Sequence, residues 1–211
     1  MKKLEKGFLI TLEGGEGCGK STQIRLLFGF LKKKRLKVFL TREPGGTKAG
    51  DEIRNILLDP GLGKMSGVCE TLLYMSARAV LVEEVIAPKI REGTVVLCDR
   101  WLDATLAYQG YGEGVDIDWI RSLGEKATRG IRPKLTVYLD LPVKAGLRRA
   151  KSHKAADRME QKKISFHEKV RKGYLEILKK EPKRIKRLNV TEADTIQSVH
   201  EKIKELVKNV L

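Results

Sequence analysis

The feature that most constrains this chain is a glycine-rich octapeptide near its start. Residues 14–21 read Gly-Gly-Glu-Gly-Cys-Gly-Lys-Ser and fill every fixed place of the G-x-x-x-x-G-K-[ST] pattern. An apolar, β-prone run, 8–12, precedes the pattern, and apolar residues recur at helical spacing over 24–31. A strand, a glycine loop and a helix in this order predict a loop whose backbone N–H groups cradle phosphates. A chance glycine-rich turn is the alternative, and the flanking elements argue against it.

The loop supplies the first candidate ligands of the chain. Lys20 is expected to reach the outer phosphates, and Ser21 is expected to ligate a magnesium ion. We therefore predict that the chain binds a nucleoside triphosphate with Mg²⁺. The predicted ATP-binding residues are Gly14, Gly15, Glu16, Gly17, Cys18, Gly19, Lys20, Ser21 and Thr22.

Length and cysteine usage indicate one α/β domain in a reducing compartment. The chain has 211 residues, which suits a single domain spanning 1–211. Its three cysteines form no C-x-x-C pair, so reduced thiols in a cytoplasmic protein are the simple interpretation. No apolar stretch approaches the length needed to cross a membrane, and the first strand follows the N-terminus too closely for a signal peptide. We expect no membrane partner.

The formal charge of +16 leaves the partner class open. A basic surface attracts nucleic acid as well as small phosphorylated ligands. The excess lies late in the chain, in pairs such as 179–180 and 183–184, without the interleaved aromatic residues of a base-stacking platform. A solvated, Lys/Glu-rich surface is the favoured interpretation, and no nucleic-acid partner is expected.

Five β-prone segments alternate with longer stretches of helical periodicity. This alternation predicts a five-stranded, mostly parallel sheet flanked by helices, with ligands bound beyond the carboxyl ends of the strands. The predicted strands are 8–12, 37–41, 94–98, 135–139 and 185–190.

Candidate phosphate and metal ligands follow the second and third strands. Arg42 precedes a Pro-Gly-Gly turn and offers a planar fork for a phosphate, although a surface turn with a solvated arginine explains the segment equally well. Asp99 ends an apolar run, as does the carboxylate that organises magnesium in phosphate-loop enzymes, and Arg100 follows it. An ordinary buried strand with a terminal ion pair is the alternative.

Two further segments gain meaning only beside the phosphate loop. Tyr74 and Arg78 stand four residues apart in a helix predicted over 70–90, so they share a face on which a planar base could stack. A basic stretch with Arg149 and Arg158 lies in a connection, about 142–160, that could act as a lid over the transferring phosphoryl group. Taken alone, each segment is better explained by packing or by a solvated surface.

Together these segments resemble the thymidylate kinases of the bacterial type over essentially the whole chain. The resemblance implies a single-domain P-loop kinase with a five-stranded parallel sheet and a lid, phosphoryl transfer from ATP with magnesium to dTMP, and a homodimer. The motifs that carry it are 13–17 leading into 19–21, 41–47, 99–101, 107–109, 132–136 with 139–140, and 157–160.

The resemblance also implies roles for individual residues. Tyr74 would stack on thymine, Arg78 would bond its carbonyl edge, Glu16 would lie near the sugar 3′-hydroxyl, and Tyr108 would crowd a 2′-hydroxyl. The implied dTMP-binding residues are Glu16, Arg42, Tyr74, Arg78, Arg100, Thr105, Tyr108 and Gln109. The implied catalytic residues are Lys20, Arg42, Arg100, Arg149 and Arg158, and the implied metal-site residues are Ser21 and Asp99.

The chain departs from the family pattern at two positions. Family members often carry serine where this chain has Ala104, and bacterial members with this loop type commonly carry an arginine where it has His153. The second departure leaves three candidates for the cation over the transferring group: Arg149, Arg158 and a protonated His153.

Two rival functions share the phosphate loop. A deoxynucleoside kinase would use a carboxylate base on a neutral nucleoside, but such an acceptor gives the several arginines no phosphate to hold. A nucleic-acid-associated or regulatory P-loop ATPase would exploit the basic charge and would release no phosphorylated nucleotide. An acceptor that is itself a monophosphate needs no proton abstraction, so we expect catalysis by positioning and charge neutralisation without a general base.

Overall fold

A computed structural model describes residues 6–151 and 157–211. Its sheet has five strands, all parallel, in the order β2-β3-β1-β4-β5. The five-stranded parallel sheet predicted from the sequence is confirmed, with strand limits that differ by one or two residues. The strands are β1 (Phe8–Gly14), β2 (Val38–Arg42), β3 (Val95–Asp99), β4 (Leu135–Asp140) and β5 (Ile185–Asn189).

Helices cover both faces of the sheet. The α-helices among the described residues are α1 (Lys20–Lys33), α2 (Lys48–Leu58), α3 (Gly67–Leu81), α4 (Ala87–Arg91), α5 (Leu102–Thr105), α6 (Ile117–Thr128), α7 (Val143–Lys151), α8 (Ile164–Lys180) and α9 (Ile196–Lys208). A 3₁₀ turn spans Pro60–Leu62, and π-helical turns span Val82–Ile86 and Leu106–Gly112.

The alternation of side chains along the strands divides the core between the two faces. Ile10 and Leu12 of β1 pack on one face with Leu27 of α1 and Ile203 of α9. Leu9 points to the opposite face, where the C-terminal part of α3 and the π turn after it cover the sheet. Since successive strand residues point to opposite sides, central strands with helices on both faces need the near-continuous buried runs seen in β1, β3 and β4. The edge strand β5 carries Lys186 and Arg187 instead.

The single helix predicted over 70–90 is instead interrupted. Helix α3 ends at Leu81, a π turn spans Val82–Ile86, and α4 begins at Ala87. Pro88 supplies the reason, because it has no N–H to donate to the carbonyl group one turn earlier. A single π turn just before the proline accommodates this missing hydrogen bond.

The last helix begins with a side-chain cap. Thr195, rather than Asp194, is the N-cap residue of α9, and its side chain accepts a hydrogen bond from the Ser198 N–H at 3.0 Å. The Asp194 carboxylate accepts from the Thr191 N–H at 2.9 Å and closes the preceding turn. Both residues are good capping types, so sequence alone did not choose between them.

Two observations concern the predicted environment of the chain. The helices of the described residues include none that is both long and apolar enough to span a membrane. Cys18, Cys69 and Cys98 are free thiols.

Strand register brings the predicted functional segments to one edge of the sheet. Leu12 of β1 pairs with Asp99 of β3, and Asp99 pairs in turn with Arg42 of β2. The phosphate loop therefore leaves β1 beside the ends of both neighbouring strands. Of the predicted lid, α7 and the turns from 157 onward are described, while His153 lies outside the described residues.

The neighbours Leu27 and Leu26 allow a matched test of this packing. Leu27 is completely buried in the core beneath β1, whereas Leu26 is 37% exposed. We expect Leu27→Ala to lower the free energy of unfolding by about 2–5 kcal/mol, since it leaves a cavity, and Leu26→Ala to cost under about 1 kcal/mol. Urea unfolding followed by circular dichroism measures both. Equal losses in the two variants would contradict this assignment of the core.

Candidate active site

A cleft of ≈ 1020 Å³ lies at the carboxyl edge of the sheet. Its walls come from the phosphate loop, the ends of β2 and β3, helix α3 and the turns that follow α5. Most residues that the sequence singled out line this one cleft. These residues are Glu16, Gly17, Cys18, Gly19, Lys20, Ser21, Thr22, Arg42, Tyr74, Arg78, Asp99, Arg100, Thr105, Tyr108, Gln109 and Arg149.

The phosphate loop adopts a conformation that requires glycine at Gly17. Gly17 has a φ of +65°, in the left-handed region that favours glycine. A side chain there would also overlap the carbonyl oxygen of Gly146 in α7. The loop therefore packs directly on the backbone of α7, which carries the predicted lid residue Arg149.

Lys20 is held inside the phosphate loop by backbone oxygens. Its ammonium donates to the carbonyl groups of Gly14 at 3.1 Å and Gly15 at 2.8 Å, and it contacts the Cys18 Sγ at 3.6 Å. The side chain is mostly buried. This geometry places a positive charge where the loop's N–H groups would surround an anion.

The predicted metal residues are in contact. The Ser21 hydroxyl donates a hydrogen bond to Asp99 Oδ2 at 2.9 Å, joining the start of α1 to the end of β3. Two hard oxygen donors side by side next to a phosphate loop match the way Mg²⁺ is usually bound, through one or two protein oxygens with phosphates and water as the rest. The donor set present at this point therefore fits magnesium.

Arg100, Glu16 and Tyr108 form a charged cluster on the floor of the cleft. Arg100 Nη2 donates to Glu16 Oε1 at 2.9 Å and to the Tyr108 hydroxyl at 3.1 Å, and the Tyr108 hydroxyl donates to the same Glu16 oxygen at 2.6 Å. Burial of Glu16 raises its pKa, but the charges of Arg100 and Lys20 outweigh burial and lower that pKa to about 2. Glu16 is thus a fixed anion that orients the guanidinium group of Arg100.

Glu13 is a functional residue whose role the sequence analysis missed. It is fully buried at the end of β1, where it accepts from the Trp101 N–H at 2.6 Å and from the Tyr174 hydroxyl at 2.8 Å. These bonds fix the turn in which Arg100 has a left-handed φ of +74°. A carboxylate in an otherwise apolar strand was the available sequence signal.

Arg78 is oriented by a buried ion pair with Glu43. Its Nε and Nη2 donate to Glu43 Oε2 at 2.8 and 2.6 Å, and Nη2 also donates to the Thr105 hydroxyl at 3.0 Å. Nη1 contacts the sulfur of Met75 at 3.1 Å. Arginine has five N–H donors, so a further Nη1 proton remains for a ligand in the cleft that Arg78 lines.

Two arginines stand together on the wall of the cleft that β2 and α2 form, and the sequence analysis identified one of them. The side chain of Arg42 is 59% exposed and lies 3.6 Å from the Asp51 carboxylate. Arg54 of α2 also lines the cleft, and its Nη1 donates to the Pro44 carbonyl at 2.9 Å. Burial and the nearby charge of Arg42 lower the pKa of Arg54, as expected of two cations that converge on one space. It stands on the helix that follows the 41–47 motif, outside the motif itself, and gave no sequence signal.

Tyr74 and Gln109 line the part of the cleft next to α3. Burial, with a contribution from the charge of Glu70, raises the pKa of Tyr74 to about 12, so its hydroxyl stays neutral. Gln109 is buried, and its Nε2 donates to Glu70 Oε2 at 2.8 Å.

The two predicted lid arginines differ in position. Arg149 lines the cleft, and its Nη2 contacts the Thr191 carbonyl at 3.5 Å. Arg158 is instead buried against α3, where its Nη1 donates to Glu70 Oε1 at 2.6 Å. Ala104, the departure from the family pattern, also lines the cleft.

Fold and site together define a P-loop kinase that acts on a small phosphorylated acceptor. A family model described as thymidylate kinase matches residues 12–203. A thymidylate kinase of Geotalea daltonii is 50% identical over 182 residues, which cover 83% of this chain and 85% of the relative. One from Thermoanaerobacter sp. is 44% identical over 98% of this chain and 100% of its own. The chain belongs to the thymidylate kinase family.

A solved structure supports the same assignment. The crystal structure of thymidylate kinase from Ehrlichia chaffeensis superposes with a TM-score of 0.78 at 29% identity, covering 96% of this chain and 99% of that one. The P-loop kinase fold and the membership of an enzyme family inferred from the sequence are therefore confirmed.

The burial of Glu13 predicts a pH-dependent stability. Burial, reinforced by the nearby charge of Asp103, raises the pKa of Glu13 from 4.5 to about 8. The folded state therefore favours the protonated form of Glu13. The stability that protonated Glu13 contributes is fully present below about pH 4.5 and is lost as the pH rises through about 8. Glu13→Gln mimics the protonated form, so its free energy of unfolding should rise relative to the native chain by a few kcal/mol across this window.

Urea unfolding at several pH values measures the effect. The exposed Glu52 offers a matched control, and Glu52→Gln should run parallel to the native chain. A parallel profile for Glu13→Gln would show that Glu13 is ionised in the folded protein over the whole window.

Proposed function

We propose that this chain transfers the γ-phosphoryl group of ATP to dTMP and yields dTDP. The observation that carries the proposal is one cleft that is lined both by the phosphate loop and by several arginines, among them Arg42, Arg54 and Arg100. Membership of the thymidylate kinase family supports thymine as the base. Two nucleotides whose phosphate tails meet would suit this distribution of charge.

The acceptor phosphate would bind between three arginines. Arg42 and Arg54 converge from the wall formed by β2 and α2, and Arg100 stands on the floor, held by Glu16. The guanidinium fork matches the oxygens of a phosphate and allows bidentate contact. A neutral nucleoside would offer these cations no phosphate to bind.

The thymidine part of the acceptor would lie along α3. Tyr74 would stack on thymine, while Arg78 would bond the carbonyl edge through its remaining Nη1 proton. Glu16 would lie near the sugar 3′-hydroxyl. Tyr108 would fill the place of a 2′-hydroxyl, since its own hydroxyl is pinned between Glu16 and Arg100 and does not move aside easily.

The donor end would use the phosphate loop and the contact between Ser21 and Asp99. The N–H groups of the loop and the Lys20 ammonium would hold the ATP phosphates, and Ser21 and Asp99 would hold magnesium directly or through water. When bound, the ion would neutralise charge on the phosphate oxygens during transfer.

The carboxylates of the cleft support a reaction without a general base. Glu16 is ionised and bound to Arg100 and Tyr108, and Glu43 is bound to Arg78. Arg100 and Tyr108 hold Glu16 as an anion, and an ionised phosphate acceptor has no proton that must be removed. Catalysis would then consist of aligning the two phosphates and stabilising the charge that develops between them.

Of the candidate lid cations, Arg149 is favoured as the one over the transferring phosphoryl group, because it already lines the cleft. Arg158, buried on Glu70, would anchor the end of the lid in this conformation. His153 lies outside the described residues.

We also propose that the chain acts as a cytoplasmic homodimer. Exposed apolar side chains on α2 and α3, among them Ile56, Val68 and Leu72, support a protein–protein surface on these helices. Sedimentation velocity measures the association, and a monomer at micromolar concentration would refute it.

Product analysis tests the function and separates its rivals. The protein is incubated with ATP, magnesium and, in parallel, dTMP, thymidine, other monophosphates or single-stranded DNA, and the nucleotides are separated by chromatography. We expect dTDP and ADP in equal amounts from dTMP. Phosphorylation of thymidine alone would indicate a deoxynucleoside kinase, and ADP without a phosphorylated acceptor, stimulated by DNA, would indicate an ATPase.

Lys20→Ala tests the donor end. The substitution removes a preorganised charge from the transferring phosphoryl group, so kcat should fall by roughly 10²-fold or more. Circular dichroism should show an unchanged fold. Activity within about threefold of the native enzyme would refute the role of Lys20.

Arg54→Met tests the residue that sequence reasoning missed. Methionine keeps most of the side-chain volume but removes the charge, so kcat/KM for dTMP should fall by roughly 10–100-fold while KM for ATP changes little. Arg121→Met, on α6 and in an exposed ion pair with Asp118, provides the control. Loss of ATP affinity without loss of dTMP affinity would move Arg54 to the donor end.

A further inference from the structure

The amide of Gln109 is held in one orientation by a carboxylate. Gln109 is 1% exposed, and its Nε2 donates to Glu70 Oε2 at 2.8 Å. A carboxylate in ion pairs only accepts hydrogen bonds, so it selects the NH₂ end of the amide. The carbonyl Oε1 of Gln109 is therefore the end left for the cleft, which Gln109 lines.

Glu70 is itself immobilised. It is fully buried, and its other oxygen, Oε1, accepts from Arg158 at 2.6 Å and from Lys162 at 3.3 Å. Arg158 is tied down in turn, because its Nε donates to the Leu57 carbonyl at 2.9 Å. The carboxylate thus has one oxygen committed to cations and the other committed to Gln109.

Glu70 also belongs to α3, the helix along which the thymidine part of dTMP is proposed to lie. It precedes Tyr74 by one turn of α3 and Arg78 by two turns. The group that orients Gln109 therefore stands in fixed register with the aromatic ring and the guanidinium group assigned to the base.

We propose that Glu70 is a positioning residue for base specificity, which acts by presenting the carbonyl oxygen of Gln109 to the base. This inference rests on the proposed function. An acceptor in the cleft suits the N3–H of thymine or uracil, while Arg78 supplies a donor for a neighbouring carbonyl group. Cytosine has an unprotonated N3 and an amino group in place of that carbonyl. Its N3 would face the Gln109 carbonyl oxygen, so two hydrogen-bond acceptors would oppose each other. A buried mismatch of this kind is costly, since neither group finds a partner.

Glu70→Gln makes a sharp test, because the structure predicts which way the new amide turns. Arg158 and Lys162 require an oxygen on their side, so the NH₂ group of the new side chain faces Gln109. Gln109 must then turn its own carbonyl toward position 70 and its NH₂ group toward the cleft. The variant should present a donor to the base where the native enzyme presents an acceptor.

The measured quantity is the ratio of kcat/KM for dTMP to kcat/KM for dCMP. We expect this ratio to fall by roughly tenfold or more in Glu70→Gln. General damage to the fold would lower both values together and leave the ratio unchanged. Glu113→Gln is the matched control. It makes the same chemical change in a residue that contacts Lys162 but, in the part of the chain that the structure describes, makes no hydrogen bond to Gln109, so its ratio should stay native.

Each outcome decides the matter. A native ratio in folded Glu70→Gln, or an equal fall in Glu113→Gln, overturns the proposal. Absence of dTDP with the native enzyme refutes the proposed function instead, and the two failures are therefore distinct. Should Glu70→Gln not fold, the binding of N3-methyl-dTMP to the native enzyme is compared with that of dTMP. Binding weaker by roughly tenfold or more supports Gln109 as the group that accepts from N3–H, and equal binding overturns the proposal.

Discussion

The parallel pairing of β1 with β3 is the constraint on which the rest of the site depends. Leu12 lies opposite Asp99, so the phosphate loop, the carboxylate that contacts Ser21 and the guanidinium group of Arg100 all leave the sheet at one edge. Parallel strands run in one direction and necessarily collect their following loops at the same side. A shift of this register by one residue would turn Asp99 to the other face of the sheet and separate it from Ser21.

Arginines at this edge are useful because buried acceptors hold them in place. Glu43 fixes Arg78, and Glu16 fixes Arg100, in pairs whose side chains are mostly or fully shielded from water. Such pairs contribute little net stability, because desolvation offsets much of their attraction. What the pairs provide is preorganisation, because each guanidinium group is already fixed in place before a ligand binds. Arg42, by contrast, remains half-exposed and is free to adjust to a ligand.

Sequence reasoning found the parts whose role depends on local pattern. The strands, the phosphate loop and Asp99 follow from apolar runs, glycine spacing and the order of elements, and the structure brings them together as expected. Sequence reasoning missed Glu13 and Glu70, since each acts through partners more than thirty residues away. It also missed Arg54, which stands at an ordinary helix position. The location of Arg158 was equally hidden, because an arginine in a basic stretch gives no sign that a buried carboxylate will bind it. Pairings between distant residues are set by tertiary packing, which local periodicity does not encode.

In the proposed reaction two nucleotides lie end to end in one cleft, with their phosphate tails meeting among its cations. A crystal structure with dTMP, magnesium and a non-hydrolysable ATP analogue tests it most directly. We expect the dTMP phosphate to lie among Arg42, Arg54 and Arg100, with the γ-phosphate of the analogue facing it from the Lys20 side. A single nucleotide in the cleft, or two whose phosphates point away from each other, would contradict it.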